Sequence, residues 1–258
     1  DPSQSSKIVR AGPLNLLDID GDGGRDLVYN LYNGGEDNQW HLVVVDALTG
    51  ITRHDYIQRY LNGMSDLDGD GQVELMVSHT TGEALPSYAP LEVWTLDHNG
   101  PNIRWTQERG RFSTHLREEL PLNISTGAAD GLRTVTTGDV DRDGEHEFFV
   151  VEPEGQREIM KTITIGNSKP HQLWSVRGPA GGSLQAIRVA EIEDTSRTLV
   201  HLKAPGASAQ IVLEDGRSTL HQWSRSATIP AGVPVVADLD GKFELLFAQE
   251  TADGHAGL

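Results

Sequence analysis

The sequence predicts an all-β chain, a β-propeller of four-stranded antiparallel blades, and three observations carry that prediction. An acidic motif recurs along the chain, its copies stand about 50 residues apart, and the same order of short β-type runs surrounds each copy. A period of this size suits one four-stranded blade.

DIDGDGGRDL starts at Asp18, DLDGDGQVEL at Asp66 and DVDRDGEHEF at Asp139, while EIEDTSRTL at Glu191 and DLDGKFEL at Asp238 are shorter in the middle. The starts are 48, 73, 52 and 47 residues apart, so the second unit holds about 25 extra residues. An apolar run precedes each motif, and another follows it as DLVYNLY, ELMVSH, EFFVVE, TLVHLK or ELLFAQ. The third run reads HLVVVD, LEVWTLD, IMKTITI or AQIVLED. Their alternation, β-branched content and short Gly, Asn and Asp turns favour antiparallel strands over helices. The fourth run carries an aromatic, Trp105, Trp174 or Trp223, with Tyr56 in the similar place of the first unit. These four are assigned to packing between adjacent blades.

Residues 1–258 therefore read as one repeat array, with units starting near 18, 66, 139, 191 and 238 and an insert over about 79–131 in the second. The insert contains RGRFSTHLREELPLN, read as room for a short helical turn, and is expected to lie over one face as the ligand-contact surface. Four motif-to-motif units are complete and the fifth has only two strands. That predicts an open, incomplete array of about four to five blades, with further blades or domains in a longer parent chain. The start DPSQSS, without an initiator Met or a signal peptide, reads as processed or excised.

Charge and composition narrow the partners. Of 258 residues, 38 are acidic and 21 basic, a formal net charge of −17, which argues against nucleic acid and against an anionic membrane surface. No apolar run nears the roughly 18 residues that span a bilayer, so membrane insertion is not expected. Cys is absent, leaving oxygen ligands or packing alone to staple the fold.

The acidic motifs supply such ligands. A D-x-D-x-D-G-x-x-[DE] loop sets side-chain oxygens at alternate positions around a bend, and hard anionic oxygens select calcium. The first loop offers Asp18, Asp20, Asp22, the Gly24 carbonyl and Asp26. The second offers Asp66, Asp68, Asp70, the Gln72 carbonyl and Glu74, and the third Asp139, Asp141, Asp143, the Glu145 carbonyl and Glu147. Gly23, Gly71 and Gly144 follow the third acid of each, where a side chain would hinder the bend. Twelve carboxylates in three loops repel one another without a cation, and three Ca²⁺ ions would move the formal charge from −17 to −11. An EF-hand would need a bidentate Glu at position 12 and an exiting helix; position 12 here is Tyr29, Val77 or Val150, each in a β-type run.

These loops resemble the FG-GAP repeats of the integrin α-subunit head and the related bacterial VCBS repeats, about nine residues in each full loop carrying the likeness. The resemblance implies a propeller in which the calcium loop joins the innermost strand of a blade to the next. Glu191, Glu193 and Asp194 sit in a loop one residue short, and Asp238, Asp240 and Glu244 in one two residues short, so neither is assigned calcium.

No nucleophile motif, P-loop or H-E-x-x-H is present. The preferred function is a calcium-stabilised, extracellular or cell-surface scaffold that binds protein or glycan, its sites filled by millimolar calcium. The alternative is part of a polysaccharide lyase, because some propeller lyases acting on rhamnogalacturonan or ulvan look similar in their calcium loops. For β-elimination the insert would supply His79, Tyr88, His115 and Arg117, with His98, Arg109 and Arg111 nearby.

Overall fold

The computed structural model describes residues 7–10, 16–116, 133–166, 169–192, 195–204, 207–214, 218–226, 235–239, 242–246, 249–250 and 256–257. Among them every regular element is a strand, the pairings are antiparallel, and no helix is long and apolar enough to cross a membrane.

The first sheet contains β1 (Lys7–Arg10), β2 (Leu16–Leu17), β3 (Asp26–Asn33), β4 (Trp40–Asp46) and β5 (Thr52–Ile57). β1 and β2 lie along the same edge of β3, with Arg10 opposite Asn30 and Leu17 opposite Asp26. The second unit is the meander β6 (Arg59–Ser65), β7 (Glu74–His79), β8 (Ala89–Asp97) and β9 (Gly100–Phe112). A small hairpin follows, β10 (Thr114–Leu116) with β11 (Arg133–Val135). The third unit is β12 (Thr137–Gly138), β13 (Glu147–Glu154), β14 (Arg157–Thr164) and β15 (His171–Arg177). The end of β9 pairs with β13, Phe112 opposite Val150, and fuses the second and third units into one eight-stranded sheet. The fourth unit is β16 (Ser183–Ile192), β17 (Thr195–Ala204), β18 (Ala207–Glu214) and β19 (Ser218–Ser226). Two short pairs end the chain, β20 (Val235–Leu239) with β21 (Lys242–Leu246) and β22 (Gln249–Glu250) with β23 (Ala256–Gly257).

In the first three units burial is deepest in the middle strands and least in the last. VVV at 43–45 and FFVV at 148–151 are apolar on both faces and, apart from half-buried Val45, buried. The outer strands TRHDYI and HQLWSVR are mostly polar and exposed. Among the described residues, the three largest apolar clusters lie between consecutive units. Ile19, Val28 and Leu42 meet Leu61, Leu75 and Trp94; Leu67, Met76 and Val93 meet Phe112, Phe148 and Ile163; Phe149, Val151 and Met160 meet Leu184, Ala186 and Val200. Each fully buried Leu, Val or Phe contributes about 1.5–3 kcal/mol relative to exposure.

The aromatics of the outer strands pack at these seams. Tyr56 meets Trp94 edge-on at 5.2 Å, Trp105 meets Phe148 at 5.2 Å, and Trp174 meets Phe149 at 5.9 Å; the Trp223 side chain lies outside those described. Inner strands approach so closely that only glycine fits at two crossings. A Cβ on Gly63 would lie 2.9 Å from the Val135 nitrogen, and one on Gly138 2.6 Å from Val189 Cβ.

The insert departs from its expectation. RGRF lies in β9 and THL in β10, so the helical turn is replaced by strand as far as Leu116; residues 117–132 lie outside the described ones. Buried Phe112 and Ser113 draw this segment inward. The Ser113 hydroxyl accepts the Ala186 amide at 2.7 Å and donates to the Ala186 carbonyl at 3.1 Å, and Thr136 Oγ1 donates to the same carbonyl at 2.8 Å. The base of the insert is thereby fastened to β16. In the fourth and fifth units the strand ladders run into the acidic motifs, with Glu191 opposite Ser196 and Asp238 opposite Phe243.

Candidate metal-binding loops

Each full motif connects the first strand of its unit to the second: β2 to β3, β6 to β7 and β12 to β13. The three loops share one hydrogen-bond pattern. The first acid accepts the amide of the glycine five residues on, Gly23 to Asp18 at 3.0 Å, Gly71 to Asp66 at 3.1 Å and Gly144 to Asp139 at 3.0 Å. The third acid accepts the amide two residues on, Gly24 to Asp22 at 2.7 Å, Gln72 to Asp70 at 2.7 Å and Glu145 to Asp143 at 2.9 Å. These bonds hold the backbone of Gly24, Gln72 and Glu145, the residues whose carbonyls are the expected fourth ligands. The glycine after the third acid takes φ of +85°, +89° and +90° in turn, where a side chain is strained.

The closing acids reach back into the loop. Asp26 accepts the Ile19 amide at 3.2 Å, Glu74 the Leu67 amide at 2.7 Å and Glu147 the Val140 amide at 2.7 Å. Glu74 and Glu147 are wholly buried, and the second oxygen of each, Oε1, has no hydrogen-bond partner. Burial, reinforced by neighbouring acids, pushes Glu74 up to about 7 and Glu147 up to about 8, against the pull of the backbone bond. Asp26 shifts upward for the same reason, burial first. A buried carboxylate with an idle oxygen is costly unless a cation or proton meets it.

Carboxylate oxygens of Asp18, Asp20 and Asp22 lie within 4.8 Å of one another, as do those of Asp66, Asp68 and Asp70, and those of Asp139, Asp141 and Glu147. The third set takes in Glu147 rather than Asp143. A set of three or four carboxylates around one point, with a carbonyl beside them, is a donor set for a hard divalent cation.

The loops adjoin one another. The His146 amide of the third donates to the Leu67 carbonyl of the second at 2.8 Å, and a Cβ on Gly69 would lie 3.7 Å from the Gly144 oxygen. Two arginines absent from the sequence expectation also stand here. Arg53 links Asp22 at 3.4 Å to Asp46 at 2.6 Å; the Thr49 amide and then this guanidinium hold Asp46 down to about 2. Arg104, on β9, lies 2.9 Å from Asp68 and 3.9 Å from Glu74. Neither sits at a fixed spacing from its motif, so the repeat pattern gave no signal for them.

The residues named for lyase chemistry are engaged separately. His79 Nε2 is 2.8 Å from Glu92 Oε1, an ion-pair distance without hydrogen-bond geometry, and Arg59 flanks the same carboxylate. The Tyr88 hydroxyl donates to Glu158, which also receives Arg111 at 2.9 Å and the Leu184 amide. His115 Nδ1 lies 3.1 Å from Thr136 Oγ1, and Arg117 lies outside the described residues. Glu158, buried among three units, is the organising group here; sequence reasoning passed over it because it belongs to no motif.

No protein-family model matches the chain, and no curated protein does. Among solved structures, the chain is similar to the rhamnogalacturonan lyase PL11 of Bacillus licheniformis, at 15% identity and TM-score 0.51, over 92% of this chain and 46% of that one. It is likewise similar to rhamnogalacturonan lyase YesW, at 15% identity and TM-score 0.53, over 98% of this chain and 49% of the other. The chain thus spans about half the length of each lyase, and the likeness is one of fold.

Proposed function

We propose that this chain is a calcium-stabilised β-propeller segment of an extracellular protein, serving as a scaffold that binds protein or glycan. The supporting observation is the pair of wholly buried carboxylates, Glu74 and Glu147, each holding a backbone amide with one oxygen and leaving the other idle beside further acids. Calcium supplies the missing charge to such oxygens and ties the inner strand to its neighbour, a role that disulfides cannot fill in a chain without Cys. The chain's own residues then fix the bend, through the glycines at positive φ, and hold the acids in place through backbone amides.

The second reading, part of a polysaccharide lyase, is favoured by the fold likeness to two rhamnogalacturonan lyases. Against it, the Tyr88 hydroxyl is spent on Glu158 within a junction of three units. The discriminating experiment incubates the chain and its Y88F variant with rhamnogalacturonan and with ulvan, following the ultraviolet absorbance of an unsaturated uronate and, in parallel, retention on the immobilised glycans. Retention without absorbance supports the scaffold. Absorbance that Y88F abolishes, with folding intact, replaces it with the lyase.

A further inference from the structure

The second loop differs from a bare acidic cluster by one group, the guanidinium of Arg104. It is carried on β9, the outer strand of the same unit, and is three-quarters buried over the loop. One nitrogen lies 2.9 Å from Asp68 Oδ2, and another lies 3.9 Å from Glu74 Oε1, the oxygen that lacks a hydrogen-bond partner. Asp68 and Glu74 retain only 4% and 0% side-chain exposure, so water screens the attraction poorly. The idle oxygen of Glu74 marks where a cation belongs, and Arg104 is the positive charge that already stands there.

We infer that Arg104 is a tethered counter-ion that sets the calcium affinity of the second loop, occupying the acids when calcium is absent and opposing calcium when it arrives. The inference rests on the calcium reading given above. Two positive charges cannot share Asp68 and Glu74 at full strength, so an entering ion must push the guanidinium outward or bind against its repulsion. Coupling between two ligands of one site is reciprocal, and values of about 5- to 150-fold are typical. The fixed charge also keeps the loop folded at low calcium, so the second site binds calcium more weakly than the same loop without Arg104 would.

The test uses the 258-residue chain with Asp20→Asn and Asp141→Asn, which leaves the second loop as the intact site, and measures calcium binding by calorimetry with Arg104, Arg104→Met and Arg104→Lys. Arg104→Met is expected to tighten binding by about fivefold or more and to lower the melting midpoint in EGTA. Arg104→Lys, which keeps the charge, is expected to stay near the parent on both readouts. Arg104→Gln replaces the Met variant if that one does not fold. Calcium binding that is unchanged or weaker in the neutral variant overturns the counter-ion role alone. Absence of calcium binding in the chain with all three loops intact overturns the calcium reading and this inference together.

Discussion

The carboxamide of Asn30 pairs with both backbone groups of Leu61: its nitrogen donates to the Leu61 carbonyl at 2.9 Å and its oxygen accepts the Leu61 amide at 2.7 Å. Asn30 lies on β3 and Leu61 on β6, beside a bulge, so one buried side chain takes the place of a missing strand between two units. Ser113 treats Ala186 of β16 in the same way, again next to a bulge. Leu61 and Ala186 each stand five residues ahead of an acidic motif.

This pairing predicts the outcome of substitution. Asn30→Ala leaves two buried backbone groups unsatisfied and is expected to cost about 1–3 kcal/mol. Asn30→Asp can accept the Leu61 amide but cannot donate to its carbonyl, so it too destabilises. Urea unfolding of both variants checks this, and a cost below experimental error in each would contradict it.

Glu147→Gln should have opposite effects in the two metal states. Without a cation the raised pKa of Glu147 costs stability from the ordinary carboxylate range upward and most fully above about 8, so the substitution raises stability increasingly across that window. With calcium it removes a ligand and lowers stability. Melting curves of parent and variant in EGTA and in calcium should therefore change order.

Arg142 takes φ of 68° at the position where the first two loops carry Gly21 and Gly69 at 74° and 71°. A left-handed non-glycine costs about 1–2 kcal/mol and glycine loses about 0.5–1 kcal/mol in chain entropy. Arg142→Gly is expected to stabilise by about 0.5–1 kcal/mol, seen as a higher melting midpoint.

His41, buried on β4, has Asp55 at 2.7 Å on Nδ1 and Asp37 at 2.9 Å on Nε2. Burial disfavours its charge, but the hydrogen bonds to Asp55 and Asp37 together with their charges outweigh that and raise its pKa. The folded state thus holds this proton more tightly than the unfolded chain. The resulting stability is fully present below the ordinary histidine value and fades as pH rises through the folded one. His41→Asn should remove that part of the pH dependence, read by denaturation at several pH values with the His41 ring followed by NMR.

The strands were legible because alternation and β-branched runs mark them, and the loops because their spacing repeats; Gly23, Gly71 and Gly144 adopt the conformation expected of them. Tyr56 and Trp105 also meet a ring of the following unit, as read, whereas the ring partner of Trp174 is Phe149 of its own unit. What escaped lies between units. Asn30, Arg104 and Glu158 act on residues 31, 36 and 26 positions away, respectively, and no local pattern encodes such partners. Over RGRFSTHL strand stands where room for a helical turn was read, for a related reason. RGRFSTHL has little strand periodicity of its own, and its conformation is imposed by pairing with β13 and by the bonds of Ser113 to Ala186.

The most direct test of the account is calorimetric calcium titration of the metal-stripped chain, joined to thermal melts in calcium and in EGTA. Three ions bound per chain and a midpoint many degrees higher in calcium are expected, since each site contributes about 2.7 kcal/mol at a hundredfold excess over its Kd. No bound calcium and superimposable melts would contradict it.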